Sequence, residues 1–295
     1  QADAEARGLR DATAAPRQFA KTTIIAKIKI IHDCVYQLEH YIIIISSRDE
    51  FATDKVKDIR GELESNEALL RVYGPQIGPT WNTDDIITAN DVRVRAIARG
   101  AAARGLLWGK FRPTKIVPDD TEHTVHVLTE NQRQKTWDWF AEDISKLGDK
   151  DTNIEAIGTL LHTDSLLAKL LKNPGYRARR YQAVLQFADA NAVPLWQQWR
   201  EIFINLDNPD HIIDAKAFYE AHEPEMLQGT QVLWEEEYPY YRLMVERVVD
   251  GDPAFFKERQ NQPQRAGDTL FDMERAGYCS LTTDRLTRRD GCVVL

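Results

Sequence analysis

The chain has little cysteine and no long apolar run. Its three cysteines, Cys34, Cys279 and Cys292, are odd in number, and no two have the spacing of zinc ligands. This pattern favours free thiols in a reducing compartment over a disulfide framework. The longest apolar block, residues 41–45, has the length of a strand, whereas a membrane-spanning helix needs about 20 apolar residues. We therefore expect no membrane span, and no secretory leader is recognisable.

An excess of positive charge is also lacking. Lysine and arginine number 38 against 46 acidic residues, which gives a formal charge of -8 and argues against a uniformly basic coat for nucleic acid. A local basic patch on DNA remains compatible with this charge. The 295 residues, 43% of them hydrophobic, suffice for one large domain with an appendage. Because the chain begins at Gln1 without methionine, we expect a fragment of a longer protein.

Strand-like and helix-like segments alternate over the first two thirds of the chain. Strands are predicted near residues 9–15, 41–45, 91–98, 115–117, 154–157 and 181–187. Helical spacing predicts two early helices, one with an apolar face of Ile24, Ile28, Ile31, Val35 and Leu38, the other with Ala52, Val56, Ile59 and Leu63. A third helix is marked by Trp137, Phe140 and Ile144. This alternation predicts an α/β sheet with helices on both faces.

The composition changes near Pro194, where aromatic-rich helical segments begin. Glycine, proline, asparagine and glutamine cluster between residues 251 and 267, which predicts a connecting loop. We therefore expect a core over residues 1–195, a lid or linker subdomain over 196–275 and a connection over 276–295.

A lysine and a threonine, Lys21 and Thr22, follow the first predicted strand and open the first predicted helix. Residues 15–22 align with the P-loop template, with alanine in place of both glycines. In a P-loop, backbone N–H groups hold phosphates, the lysine reaches the β- and γ-phosphates and the hydroxyl binds Mg²⁺. Alanine resists the positive φ values that such loops use, so a solvated lysine at a helix start is the alternative. The residues predicted to bind ATP are Pro16, Arg17, Gln18, Phe19, Ala20, Lys21, Thr22 and Thr23.

Paired carboxylates, Asp119 and Asp120, end the strand predicted at residues 115–117, and Glu122 follows closely. The first of such a pair can bind Mg²⁺ while the second polarises an attacking water. Acidic pairs in loops are common, so this pair gains weight only because it follows Lys21 on a separate strand of the same predicted sheet. The catalytic base is left open between Asp120 and Glu122, with Asp120 preferred.

Three further residues are candidates for the same chemistry. Thr159 ends the next predicted strand, where a hydroxyl can sense a γ-phosphate, and a simple strand-to-helix turn is the alternative. Arg104 lies in a loop rich in glycine and alanine, and Arg17 lies in the phosphate loop itself. Either guanidinium can stabilise charge on a transferred phosphoryl group, and a flexible surface turn is the alternative for Arg104.

Two other groups of residues carry weaker signals. His123 and His126 resemble metal ligands, but no second cluster supports zinc. A basic group leaves two interpretations open, a contact with DNA phosphates or a solvated turn, and its members are Arg177, Arg179 and Arg180.

In combination these motifs resemble the large-terminase family of tailed bacteriophages. Residues 15–23 look like that family's deviant Walker A motif, in which an arginine follows proline. The other similar segments are residues 48–64 (after the second strand), 104–105 with 112–122 (arginine-glycine loop and Walker B), 137–140 (tryptophan-phenylalanine helix), 157–159 (coupling motif) and 194–196 (signature before the lid). The resemblance runs over nearly the whole chain, from Leu9 to Leu295.

The resemblance implies a three-layer α/β/α P-loop NTPase with a mostly parallel sheet and a small helical lid or linker subdomain. It implies a Mg²⁺-dependent ATPase that drives double-stranded viral DNA into the procapsid. In that scheme Lys21 and Thr22 bind the phosphates and Mg²⁺, and Asp119 completes the metal site. Thr159 would couple the γ-phosphate state to movement.

The same resemblance implies partners and a location. Family members form a ring, commonly a pentamer, around duplex DNA, with the portal protein and the small terminase subunit, in the cytoplasm of the host cell. The isolated domain can be a monomer. A nuclease follows the ATPase in this family, and residues 290–295 look like the strand that leads to its first aspartate, so no nuclease activity is expected here.

Two other hypotheses compete with the packaging motor. A nucleotide-dependent DNA- or portal-binding module with little turnover would explain the degenerate phosphate loop. A helicase-like ATPase is less favoured because little chain follows residue 195 for a second RecA-like domain.

Overall fold

A computed structural model describes residues 7–101 and 103–263 and the backbone of residues 279–282 and 285–288. The chain forms two compact units, residues 1–263 and 264–295. Within the described ranges, no helix is long and apolar enough to cross a membrane. The expected boundary between residues 275 and 276 lies outside the described residues.

The larger unit is built on a mixed, mostly parallel sheet of eight strands. They are β1 (Arg10–Ala14), β2 (Tyr41–Ser46), β3 (Ile77–Trp81), β4 (Asp85–Thr88), β5 (Arg93–Ala98), β6 (Lys115–Pro118), β7 (Asn153–Gly158) and β8 (Arg177–Arg180). Their order is β3-β4-β5-β2-β6-β7-β1-β8. Six neighbouring strands, β5, β2, β6, β7, β1 and β8, run parallel, and β3 and β4 form an antiparallel edge. The predicted α/β class with a mostly parallel sheet is confirmed.

Helices follow most of the strands. They are a π-helical segment (Thr22–Ile28) that continues into α1 (Lys29–Val35), α2 (Asp49–Ser65), α3 (Glu67–Tyr73), α4 (Thr124–Val127), α5 (Glu130–Trp139) with a second π-helical segment (Phe140–Ile144), α6 (Leu166–Lys172), α7 (Val193–Phe203), α8 (His211–Met226), α9 (Tyr240–Asp250) and α10 (Asp252–Glu258). A short ladder joins β9 (Val184–Gln186) to β10 (Gln231–Val232).

Strand β2 shows how the layers form. All six of its residues are buried, because alternate side chains enter cores on opposite faces of the sheet. Ile43 and Ile45 pack in one core with the second π-helical segment and α6, whereas Ile42 and Ile44 pack in another with α1 and α2. Helices therefore cover both faces of the sheet, an arrangement compatible with three α/β/α layers.

The helices agree with the sequence patterns unequally. Helix α2 buries the four residues predicted for its apolar face, Ala52 to Leu63. In the preceding helix the prediction was wrong, because Ile24 and Ile28 are 55% and 56% exposed while Ala26 and Ile30 are buried. A π-helical turn bonds residue i to i+5, so steps of three and four do not keep to one face.

Two predictions for the later chain are corrected. Residues 177–180, for which a contact with DNA phosphates and a solvated turn were both left open, form the edge strand β8, so the turn is excluded. The strand predicted over 181–187 is only β9. The loop predicted from residue 251 contains α10, which begins with Asp252 and Pro253. Proline in the first turn of a helix lacks only an N–H that would be unpaired there, so it starts a helix as readily as it breaks one.

A third hydrophobic core lies among the later helices. Its fully buried side chains include Trp199 of α7, Leu243 of α9 and Phe255 of α10, and Phe19 from the segment after β1 joins them. The expected division at residue 195 falls within α7. In the smaller unit, the described residues form two antiparallel strands, β11 (Cys279–Thr282) and β12 (Arg285–Arg288).

A buried ion-pair network joins the amino ends of the parallel strands. The side chain of Lys115, which opens β6, is 2% exposed, and its Nζ lies 2.6 Å from Asp33 Oδ2 and 3.4 Å from Glu155 Oε1. Burial lowers the pKa of Lys115, but Glu155 and Asp33 outweigh it and the net shift is upward. The lysine is therefore charged and ties α1, β6 and β7 together.

Replacing Lys115 by methionine tests this network. Lys115→Met should lower the free energy of unfolding by about 3–5 kcal/mol, because Asp33 loses its buried cation and Glu155 keeps only the half-exposed Lys29. The double variant Lys115→Met/Asp33→Asn should recover part of that loss. Urea denaturation of both variants provides the measurement, and a single variant within about 1 kcal/mol of the parent would contradict the role given to the pair.

Candidate functional site

The candidate site lies at the carboxyl ends of three adjacent parallel strands, β6, β7 and β1. This edge is where open α/β sheets bind their ligands. The segment after β1, residues 15–21, is called the β1 loop below. Its Ala15 N–H donates to Gly158 O at 3.0 Å, which ties the loop to the end of β7.

The β1 loop adopts a backbone shape that its residues disfavour. Gln18 has φ 65° and Ala20 has φ 53°, in the left-handed region that glycine enters freely. Each such residue costs roughly 1–3 kcal/mol and persists only where surrounding structure enforces it. The loop therefore has the positive φ values typical of phosphate-binding loops although it lacks their glycines.

Contacts with residues that flank α9 and α10 hold this shape. The side-chain Oε1 of Gln18 accepts hydrogen bonds from Tyr238 Oη and Arg259 Nη2, each at 3.1 Å. Arg259 also donates to the carbonyl oxygen of Arg17. The ring of Phe19 stacks on Tyr238, with centroids 4.5 Å apart. Aromatic and guanidinium groups thus contact and support one side of the loop.

Lys21 and Thr22 meet the two aspartates. Lys21 is buried, and its Nζ lies 3.5 Å from Asp120 Oδ2. Thr22 Oγ1 donates to Asp119 Oδ1 at 3.2 Å, across 97 positions of sequence. The remaining predicted loop residues differ in exposure. Pro16 accepts a bond from the Phe19 N–H, while Thr23 is exposed at the start of the π-helical segment.

Asp119 is the most enclosed carboxylate of the site. Its side chain is 1% exposed, and Lys55 Nζ lies 3.4 Å from its Oδ2. Burial raises the pKa of Asp119 to about 6, against the effect of Lys55. Among the described residues, Oδ2 has no hydrogen-bond donor. An unsatisfied buried carboxylate oxygen beside the Thr22 hydroxyl is a donor set that suits Mg²⁺.

Asp120 occupies a strained position with firm backbone support. Its φ is 43°, its N–H donates to Ile157 O at 3.1 Å, and its Oδ1 accepts from the Thr159 N–H at 3.2 Å. The Thr159 hydroxyl donates to Ala15 O at 3.3 Å. Thr159 therefore connects the β1 loop with the carboxylate of Asp120, which is half exposed.

Glu122 has different surroundings from Asp120. Burial raises its pKa, while hydrogen bonds from the backbone N–H groups of Leu166 and Leu167 act in the opposite direction. The carboxylate therefore lies against the first turn of α6, where a helix end favours negative charge. The side-chain cap of α6 is the Ser165 hydroxyl, which accepts from the Ala168 N–H at 3.3 Å, and among the described residues Glu122 Oε1 is buried without a hydrogen-bond partner.

The two candidate arginines are largely exposed. Arg17 lies 3.8 Å from Glu258, and Arg104 Nε lies 2.6 Å from Asp143 Oδ1. Arg104 borders a cavity of about 460 Å³ that also includes Arg112 and Lys146. Within the described ranges, neither guanidinium forms an ion pair with Asp119 or Asp120.

Lys55 was missed in the sequence. It projects from α2 into the site, where its Nζ also donates to Ser46 Oγ at 3.2 Å and to Phe51 O at 3.1 Å. A signal was present, because Lys55 lies three residues after Ala52 and four before Ile59, on the buried face of its helix. A lysine on such a face requires a partner.

The histidines and the basic group have local partners. His126 Nδ1 accepts from the His123 N–H at 3.0 Å, and in the part of the chain that the structure describes no group of three or more histidine, cysteine, aspartate or glutamate residues could hold a metal. Arg177 and Arg179 lie 2.8 and 3.5 Å from the carboxylate of Asp11. This pairing places two of the three arginines on β8 beside a counter-charge.

Neither models of protein families nor curated proteins match this chain. Its function is therefore inferred from the side chains that meet at the carboxyl ends of the strands.

His126 should make stability depend on pH. Burial, then Arg99, His123 and Arg48, lower its pKa from 6.5 to about 4. The pKa of His126 is lower in the folded chain than in the unfolded chain. The stability that neutral His126 contributes is therefore complete above pH 6.5 and is lost as the pH falls from 6.5 towards 4. His126→Asn keeps an acceptor for the His123 N–H but does not titrate. Urea midpoints of the variant should fall less steeply with acidification, and parallel curves for variant and parent would contradict the assignment.

Proposed function

We propose that this chain is a Mg²⁺-dependent ATPase of the P-loop class. The observation that carries the proposal is the pairing of Lys21 with Asp120 and of Thr22 with Asp119 at the carboxyl ends of β1 and β6. A lysine, a hydroxyl and two carboxylates in this arrangement match the requirements of phosphoryl transfer to water.

Each group has a distinct task in this proposal. The N–H groups of the β1 loop and the Lys21 ammonium bind the nucleotide phosphates. Thr22 and Asp119 hold Mg²⁺, which supplies positive charge to the phosphate oxygens when it is bound. Asp120 orients the attacking water, and the Lys21–Asp120 pair opens to admit the phosphates. Thr159 is hydrogen-bonded to Asp120 and to the β1 loop, so it couples the binding of nucleotide to the positions of both.

Asp120 is preferred to Glu122 as the residue that orients water. The Asp120 carboxylate is half exposed beside Lys21, whereas Glu122 is engaged by the backbone N–H groups of α6. A base must reach the proton that it accepts, so position decides between them before basicity does.

The resemblance to large terminases extends the proposal to DNA packaging. On this proposal the ATPase drives double-stranded viral DNA into the procapsid, in contact with the portal protein and the small terminase subunit, within the host cell. The exposed guanidinium of Arg104 suits a neighbouring subunit of a ring, and Arg17 is the alternative within the same chain.

A second candidate function is a nucleotide-dependent binding module with little turnover. The positive φ of Ala20 favours this module, because it shows that the loop holds a strained backbone shape without a ligand. Such a shape can serve to bind a nucleotide rather than to bind and release it rapidly. This module would bind ATP, DNA or the portal without releasing phosphate.

Lys21→Ala tests the ATPase directly. Phosphate release from ATP and Mg²⁺ should fall roughly 100-fold or more, because the cation nearest the transferred charge is lost. Lys27→Ala is the matched control, since Lys27 lies in the π-helical segment that follows Lys21 but pairs with Glu62 at 2.9 Å. Turnover retained in Lys21→Ala would exclude the assignment. ATP binding by a parent chain that never releases phosphate, with or without duplex DNA, would favour the binding module.

Asp120→Asn and Glu122→Gln distinguish the two carboxylates. Asp120→Asn should lower phosphate release roughly 100-fold or more, the range for loss of a catalytic base. Glu122→Gln keeps an oxygen for the N–H groups of α6, so it should alter turnover only a few-fold while lowering the melting temperature. The reverse ranking would assign Glu122 as the base.

A further inference from the structure

Lys55 lies against the carboxylate oxygen of Asp119 that has no hydrogen-bond donor among the described residues. Its side chain is 15% exposed, and its Nζ lies 3.4 Å from Asp119 Oδ2, the carboxylate oxygen without a hydrogen-bond donor in the described residues. Bonds to Ser46 Oγ and Phe51 O fix the ammonium there. Ser46 in turn donates to the backbone oxygen of Asp119 at 3.0 Å. Lys55 is therefore locked to the ends of β2 and β6.

This contact meets an electrostatic need of the unliganded site. A buried carboxylate without a partner is strongly disfavoured, and among the described residues Asp119 has one weak donor, the Thr22 hydroxyl, on its other oxygen. Lys55 provides the opposite charge at close range. The same charge also repels any cation that approaches Oδ2.

The charges of the cluster cancel. Lys21 and Lys55 face Asp119 and Asp120, so two positive groups meet two negative ones. A divalent cation arriving alone meets no net attraction and must displace an ammonium. A triphosphate adds several negative charges and changes that balance.

We propose that Lys55 is an internal counter-ion that keeps the Asp119 position closed to Mg²⁺ until a nucleotide arrives. The identity of the ligand rests on the proposed ATPase function, but the competition between Lys55 and a cation does not. A purely structural Lys55, which only anchors α2 to the sheet, would leave the response to metal unchanged.

Thermal unfolding of the nucleotide-free chain in chelator and in millimolar MgCl₂ tests the proposal. The melting temperature of the parent should be the same in both conditions. Lys55→Met should melt at a lower temperature in chelator and recover with MgCl₂, because a cation that binds only the folded chain stabilises it. The further variant Lys55→Met/Asp119→Asn should lose that recovery.

Lys57→Met is the matched control, because Lys57 lies on the same helix but forms an exposed pair with Asp54 at 3.0 Å. It should behave as the parent does. Lys55→Arg, which keeps the charge, should restore insensitivity to MgCl₂. If Lys55→Met is unfolded in chelator, recovery of its circular dichroism by MgCl₂ supports the proposal, and absence of recovery overturns it.

Equal responses of Lys55→Met, Lys57→Met and the parent to MgCl₂ would also overturn the proposal. None of these measurements uses ATP. A chain that does not hydrolyse ATP but shows the Lys55-dependent response to MgCl₂ would contradict the proposed function and support the role of Lys55. A chain that hydrolyses ATP but lacks this response would support the proposed function and contradict the role of Lys55.

Discussion

The parallel hydrogen-bond ladder that continues beyond the strand ends determines the geometry of the site. Asp119 N–H donates to Ile45 O at 2.8 Å, and Asp120 N–H donates to Ile157 O at 3.1 Å. Ala15 makes the corresponding bond to Gly158. These backbone bonds carry the functional segments past the edge of the sheet while retaining its register. Side chains remote in sequence therefore reach each other without long flexible loops.

Buried charges lie at both ends of the parallel strands, here called the amino edge and the carboxyl edge, and each must be balanced by nearby opposite charges. At the amino edge Lys115 is enclosed by Asp33 and Glu155, and at the carboxyl edge Lys55 faces Asp119. The two networks differ in what they leave open. Lys115 has a hydrogen bond of 2.6 Å to one carboxylate, whereas Asp119 keeps an oxygen without a donor among the described residues. The amino edge is thus suited to stability and the carboxyl edge to exchange of partners.

Periodicity predicted the sheet class and the buried face of α2, because one exposed and one buried side are repeated along those segments. It also indicated that Lys21, Thr22, Asp119, Asp120 and Thr159 follow strands, and the structure brings these five residues together. The exposed Ile24 could not be predicted, since a π-helical turn depends on tertiary contacts rather than on local pattern. The partner of Lys55 was equally hidden, because a helical face shows that a lysine is enclosed but not what encloses it.

The contacts that support the β1 loop have a consequence for how such loops are recognised in sequences. A glycine normally permits the left-handed turn from within the loop, whereas here Tyr238 bonds Gln18 from 220 positions away. The residue that supports the shape of the loop therefore lies far away in the sequence, just before α9. A search that demands glycine at fixed spacing tests only for the local solution and overlooks chains that use the remote one. Variation at positions 18 and 238 should then be correlated, so that a change from Tyr238 is tolerated where glycine replaces Gln18.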